Sequence, residues 1–230
     1  MPFREMNKCR SRAAAAVVNG KIFCCGGYNG MNLLNSAECY DPSSDTWVLI
    51  RHMPEHVKGH GTVEIDRNLV VIGGSTGREP LGAVWVLDTS DKNAEWVEKP
   101  WLPVPRCNFS IAKIDGKIFV CGGDSEEGKV DTVEIFDGQG WTIGPKLITP
   151  LYSAAAVVVP IDYAKYLENQ NTEPKIKQIK SNSQNTHKAT QFPKMFTISL
   201  GNCRIHCFND FSREKGNHSV RWRKYKKILE

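Results

Sequence analysis

A chain of 230 residues with 40% hydrophobic residues is long enough for one sizeable domain or two small ones. Its formal charge of +5 divides unevenly, with 16 Lys/Arg against 19 Asp/Glu in residues 1–160 and 14 against 6 in residues 161–230, an acidic front and a basic tail. No early segment joins a basic region to an uninterrupted apolar core, and the later run Ala154 to Val159 is far too short to cross a bilayer, so neither a secretory signal nor a membrane-spanning helix is expected.

In chain order, the first short apolar segments read as strands at Ala13–Val18, Lys21–Cys25, Ala37–Tyr40 and Thr46–Leu49. They are rich in Val, Ile, Phe, Tyr and Trp and are bounded by Gly, Asp, Asn or Pro, with Asn19-Gly20 as a hairpin turn. The same order then returns. Gly26-Gly27 is followed by Gly73-Gly74 (73 − 26 = 47 residues on) and Gly122-Gly123 (122 − 73 = 49). Each pair ends a run of one type, "GKIFCCGG", "RNLVVIGG" and "GKIFVCGG", and each is followed by an extended segment and a tryptophan, Trp47, Trp96 or Trp141. No helical periodicity precedes residue 160.

Three concordant units of four strands are what β-propeller blades require. On the Gly-Gly endings, the "ECYDP" third strand, the Trp opening the fourth and the "AAAVVNGKIF" run, residues 1 to about 159 resemble the kelch repeat, whose unit is about 50 residues. The expected fold is all-β, an incomplete propeller with blades at about 13–50, 61–99 and 108–144. An orphan strand follows at 153–159, where "LYSAAAVVVP" imitates the first strand of unit one before Pro160 replaces the turn glycine. Residues 161–230 are expected to be a polar, basic and mostly disordered tail, with a lone strand at "MFTISLG" (195–201). The missing blades suggest a fragment of a longer protein, and open blade faces predict self-association.

The eight cysteines, several at strand positions such as Cys24, Cys25 and Cys121, read as reduced, buried side chains and point to a cytoplasmic protein. Three motifs are weighed and set aside. "GGDSEEGKV" (122–130) has the spacing of a phosphate loop, but Val130 stands where Ser or Thr belongs, and Asp124, Glu126 and Glu127 repel phosphate. His52, His56 and His60 recur every fourth residue, but Pro54 and Gly59 break any helix that would align them, so they are placed in a solvated loop. Cys203, His206 and Cys207 lack a recognised zinc spacing. No cofactor, no metal and no catalytic residue is expected, and nucleic acid is disfavoured as the partner of the basic cluster Arg221–Lys227 because no binding fold surrounds it.

What the resemblance implies is a protein-interaction module rather than an enzyme. In the kelch-like class, one propeller face captures substrates for cullin-based ubiquitin ligases; other kelch proteins bind actin, and a few related propellers are copper-radical oxidases. Carried over by position, the partner-facing residues are Arg10 and Arg12 in unit one and Arg106 in unit three, with Lys58 and His60 standing in for them in unit two. The residues after each Gly pair complete the set: Tyr28 and Asn29, Ser75 and Thr76, Asp124 and Ser125. The arginines suit an acidic or phosphorylated peptide.

Overall fold

The computed structural model describes residues 4–160 together with the strand segments 194–200 and 203–209. The first sheet runs β1 (Ala14–Val18), β2 (Lys21–Cys25), β3 (Ala37–Asp41), β4 (Thr46–Ile50), each strand antiparallel to the next. The second repeats that order with β5 (Gly61–Ile65), β6 (Asn68–Ile72), β7 (Val84–Asp88) and β8 (Val97–Lys99). The third is β9 (Ser110–Ile114), β10 (Lys117–Cys121), β13 (Val133–Phe136) and β14 (Trp141–Ile143). In the loop after its glycine pair, a short hairpin forms between β11 (Asp124–Ser125) and β12 (Gly128–Lys129). The strands expected in unit one agree with those observed to within one residue at either end.

A fourth sheet contains β15 (Ala154–Pro160), β16 (Lys194–Leu200) and β17 (Cys203–Asn209) in the order β15-β17-β16. The strand expected to stand alone at 153–159 is therefore paired. β17 runs antiparallel beside it, Ala154 opposite Asn209 and Pro160 opposite Cys203, and β16 pairs with the far side of β17. The rest of the tail lies outside the described residues.

Continuous apolar runs such as Leu69–Ile72 bury both faces of blades two and three, so the core lies in the seams. One cluster joins blades one and two through Phe23, Cys25, Met53, Leu69, Val71 and Trp85. A second joins blades two and three through Val70, Ile72, Val84, Phe109, Ile118 and Phe136. A third lies between blade three and β15, around Phe119, Cys121, Val133 and Leu151. Each fully buried side chain of this kind is worth about 1.5–3 kcal/mol relative to exposure.

The glycine pairs are required by these seams. In each pair the first glycine has a φ near +60° and abuts the next blade: a Cβ on Gly26 would lie 2.7 Å from the Val57 carbonyl oxygen, and one on Gly73 2.7 Å from that of Arg106. The second glycine donates its N–H across the seam, Gly27 to Val57 (2.7 Å), Gly74 to Arg106 (2.9 Å) and Gly123 to Leu151 (2.6 Å). A parallel ladder links the residues that lead into the first strands. Gly59 donates to Arg12 (2.9 Å), Asn108 to Gly59 (2.7 Å) and Ser153 to Asn108 (2.6 Å). All four have positive φ, between 50° and 63°, although only one is a glycine. The tryptophans are half-buried and tie each fourth strand to the link that enters its blade: the indole N–H groups of Trp47, Trp96 and Trp141 donate to the carbonyls of Arg4, Arg51 and Pro100.

Candidate partner-binding face

Every first strand leaves, and every second strand returns to, the same end of its blade, because a tight turn joins the two at the other end. The segments after the glycine pairs therefore emerge together. The residue after each pair forms a two-way backbone bridge with the residue three or so before the first strand: Tyr28 with Ser11 (both bonds 2.9 Å), Ser75 with Lys58 (2.9 and 3.1 Å) and Asp124 with Cys107 (2.8 and 2.9 Å). This places Tyr28, Ser75 and Asp124 at equivalent positions beside the ladder of Arg12, Gly59 and Asn108.

Around them, Tyr28 and Asn29 are exposed, and Ser75, Thr76, Asp124 and Ser125 are half-buried. The Asn29 carboxamide holds its own loop by accepting from the N–H groups of Met31 (3.0 Å) and Asn32 (2.8 Å), which leaves Met31 85% exposed at the tip. Asn108 donates to the Asp124 carboxylate at 3.1 Å. Burial raises the Cys107 thiol's pKa and so does the nearby Asp124 charge, whereas Lys58 and Arg12 act on it in the opposite sense. Arg12, Lys58 and the Asp124 carboxylate thus share this end of the molecule with Tyr28, and the same loops also expose Arg78, Glu79, Glu126, Glu127 and Lys129.

Arg10 and Arg106 do not belong to that surface, which corrects their expected role. The side chains of both are wholly buried. Arg106 donates through Nη2 to Glu134 (2.7 Å) and the Thr132 hydroxyl (2.7 Å), and through Nη1 to the carbonyls of Gly122 (2.9 Å) and Thr132 (3.3 Å). Arg10 repeats the arrangement with Glu38 (2.6 Å), Ser36 and the Gly26 carbonyl. A guanidinium buried in a protein needs an anion and several acceptors, and these positions supply both. They clamp the second and third strands of one blade. Burial pushes the Glu38 pKa up, but hydrogen bonds from Arg10 and from both the side chain and backbone of Asn7 prevail and hold it below the ordinary value. Glu134 has fewer donors, and there burial prevails and raises it.

In the second blade the corresponding residues are Val57, Ala83 and Trp85, all buried and apolar. The sequence held a signal for this. Glu lies 28 residues after Arg in units one and three, and in unit two both members change together. His60 also departs from expectation, since it is 7% exposed in the seam between blades one and two instead of lying in a solvated loop. Its Cε1 faces Gly26, and neither ring nitrogen has a hydrogen-bond partner of good geometry. Burial lowers its pKa to about 4, only partly offset by a weak contact with the Cys25 backbone.

Among the described residues, no three of His, Cys, Asp and Glu gather as a metal site, and no helix is long and apolar enough to cross a membrane. The phosphate-loop look-alike is the β11–β12 hairpin, and its Lys129 ammonium lies 3.8 Å from the Tyr152 ring centroid. The side chains of Cys203, His206 and Cys207, and the basic cluster Arg221–Lys227, fall outside the described residues.

Comparison with known proteins places this arrangement in context. The family model described as "Kelch motif" matches residues 9–54, 56–100 and 105–147. Kelch-like protein 35 of Mus musculus is 30% identical over 119 residues, which cover 52% of this chain and 21% of that protein. Beta-scruin of Limulus polyphemus is 30% identical over 128 residues, 53% of this chain and 14% of the relative. Kelch repeat and BTB domain-containing protein 2 of Cowpox virus is 38% identical over 71 residues, 31% of this chain and 13% of the relative. The chain thus spans well under a third of the length of these relatives. The solved structure of YjhT superposes with a TM-score of 0.54 at 17% identity, covering 70% of this chain and 63% of the other, a likeness of fold.

Proposed function

Since this chain belongs to the kelch-motif family, we propose that it is a protein-interaction module whose partner docks on the end formed by the loops after the glycine pairs. The observation that carries this reading is the alignment of Tyr28, Ser75 and Asp124 by identical backbone bridges. Three different side chains are held at one repeated position on a rigid frame, an arrangement suited to recognition. Arg12, Asn29, Thr76 and Ser125 extend the surface, and Lys58 adds a second cation. An acidic or phosphorylated segment is the partner that Arg12 and Lys58 favour.

In its finer form the reading is a substrate receptor of the ubiquitin-ligase adaptor type, supported by similarity to Kelch-like protein 35 and to a kelch protein whose name includes a BTB domain. An array of acidic and phosphorylated peptides probed with the full chain tests the docking face. Binding of the captured peptides should weaken in both Arg12→Ala and Tyr28→Ala. Capture that is indifferent to both substitutions overturns the assignment. Co-sedimentation with actin filaments, lost in the same variants, would instead favour an actin-binding role.

A further inference from the structure

The seam between blades two and three contains a cavity of about 500 Å³, within the range of small-ligand sites. Its origin is readable in the repeats. Phe23 in "GKIF" of blade one packs into the seam toward blade two, and Phe119 in "GKIF" of blade three packs into the seam beyond it. The equivalent residue of blade two is Val70, which faces the seam with blade three. At this repeat position the phenyl ring of the neighbouring seams gives way to an isopropyl group, and the cavity lies beside Val70, Val86, Val97 and Phe136.

Its mouth is charged. Asp66, Asp88 and Glu95 line it opposite a single cation, Lys99. Glu95 is engaged by Arg51 at 2.6 Å, and one oxygen of Asp88 accepts from the N–H and hydroxyl of Ser90. The Asp66 carboxylate and the second oxygen of Asp88 remain directed to no partner among the described residues. Asp66 lies in the β5–β6 turn and Asp88 ends β7, so the mouth opens at the end of the blades opposite the proposed partner face and does not depend on it.

We propose that this cleft binds a small aromatic ligand carrying an ammonium group. The ring occupies the place of the missing phenylalanine, edge or face against Phe136, and the ammonium meets the carboxylates of Asp66 and Asp88 at the mouth. Apolar burial supplies the attraction, and the uncompensated carboxylates select the cation.

The test is calorimetric and ligand-observed NMR titration of the full chain with 2-phenylethylammonium and with its neutral counterpart 2-phenylethanol. The ammonium should bind saturably, and more tightly than the alcohol by roughly fivefold, the scale of one or two exposed charge pairs. Asp66→Asn together with Asp88→Asn should erase that preference, and asparagine tolerates the positive φ of Asp66 (48°). Val70→Phe, which restores the repeat's own side chain, should abolish binding of both probes. Equal affinity for the two probes, retained binding in a folded Val70→Phe protein, or no saturable binding overturns the proposal. If Val70→Phe fails to fold, the double asparagine variant decides.

Discussion

Arg106 and Glu134 form a buried ion pair at 2.7 Å, and the second blade fills the same two positions with Val57 and Trp85. One chain therefore carries two solutions to one packing problem, and the solutions can be exchanged. Arg106→Ala leaves Glu134 buried without its cation and is expected to cost about 3–5 kcal/mol. The triple change Arg106→Val, Thr132→Ala and Glu134→Trp, which copies blade two and nearly conserves volume, should recover most of that loss. Urea denaturation of the single and triple variants measures both. A single variant with wild-type stability would mean that the pair is not a clamp.

His60 gives the fold an acid sensitivity of its own. Its folded pKa of about 4 lies below the ordinary 6.5, so the unfolded chain takes up a proton first as pH falls. The stability associated with the neutral ring is complete above pH 6.5 and is lost progressively as pH falls toward 4, by roughly 3 kcal/mol in all. The direction for Glu38, also lowered, places its loss at more acidic pH. Melting temperatures from pH 7 to 4.5 should fall steeply for the wild type and much less for His60→Leu. Parallel profiles would show that the ring does not titrate on unfolding.

Substitution of the first glycine of a pair should be far costlier than substitution of a turn glycine. Gly20 has a φ of 74° and an added Cβ would meet nothing within 4 Å, so Gly20→Ala loses only the left-handed penalty of about 1–2 kcal/mol. Gly73→Ala adds a collision with the Arg106 carbonyl oxygen at 2.7 Å and with Phe109 at 2.9 Å. Its chemical denaturation midpoint should fall well below that of Gly20→Ala, and equal midpoints would contradict the close approach of the blades.

On the proposed docking face, Arg12→Ala should weaken binding of an acidic peptide by about 1 kcal/mol, the scale of a rim charge, with a larger effect at low salt. Its melting temperature should stay close to wild type, because the exposed Arg12 side chain makes no hydrogen bond or ion pair among the described residues. Arg106→Lys should leave peptide affinity per folded molecule unchanged. A loss of affinity in the lysine variant alone would place recognition elsewhere.

The outward sheet face of blade one exposes apolar side chains toward its outer strands, with Val17 62% and Leu49 50% exposed. Such a surface favours association between copies. Sedimentation of the full chain should show concentration-dependent oligomers, and Val17→Lys combined with Leu49→Lys should shift the population toward monomer. A wild-type monomer at all concentrations would refute this.

The frame was legible in the sequence because each unit repeats the same local chemistry. Glycine pairs marked the repeats, and β-rich composition with bounding turn residues placed β1–β4 to within a residue. Arg10 and Arg106 were misplaced, since a positional carry-over says nothing about whether a guanidinium faces water or a carboxylate 28 residues downstream. Only comparison among units exposes the coupled change at Val57 and Trp85. Pairing of β15 with β17 was not legible because it joins segments some fifty residues apart, and no local pattern encodes such a contact. The cleft was legible in retrospect, in a single Phe-to-Val difference between repeats.

The ladder through Arg12, Gly59, Asn108 and Ser153 uses only peptide groups. It therefore works like a fixed angular gauge: each blade is indexed to the one before it by the same main-chain increment, whatever side chains surround it. A seam can exchange a salt-linked clamp for an indole, or forfeit a phenyl ring and open a cleft, without rotating its neighbours. Chemical novelty in one seam stays local, and the geometry of the loops at the far end is insulated from it.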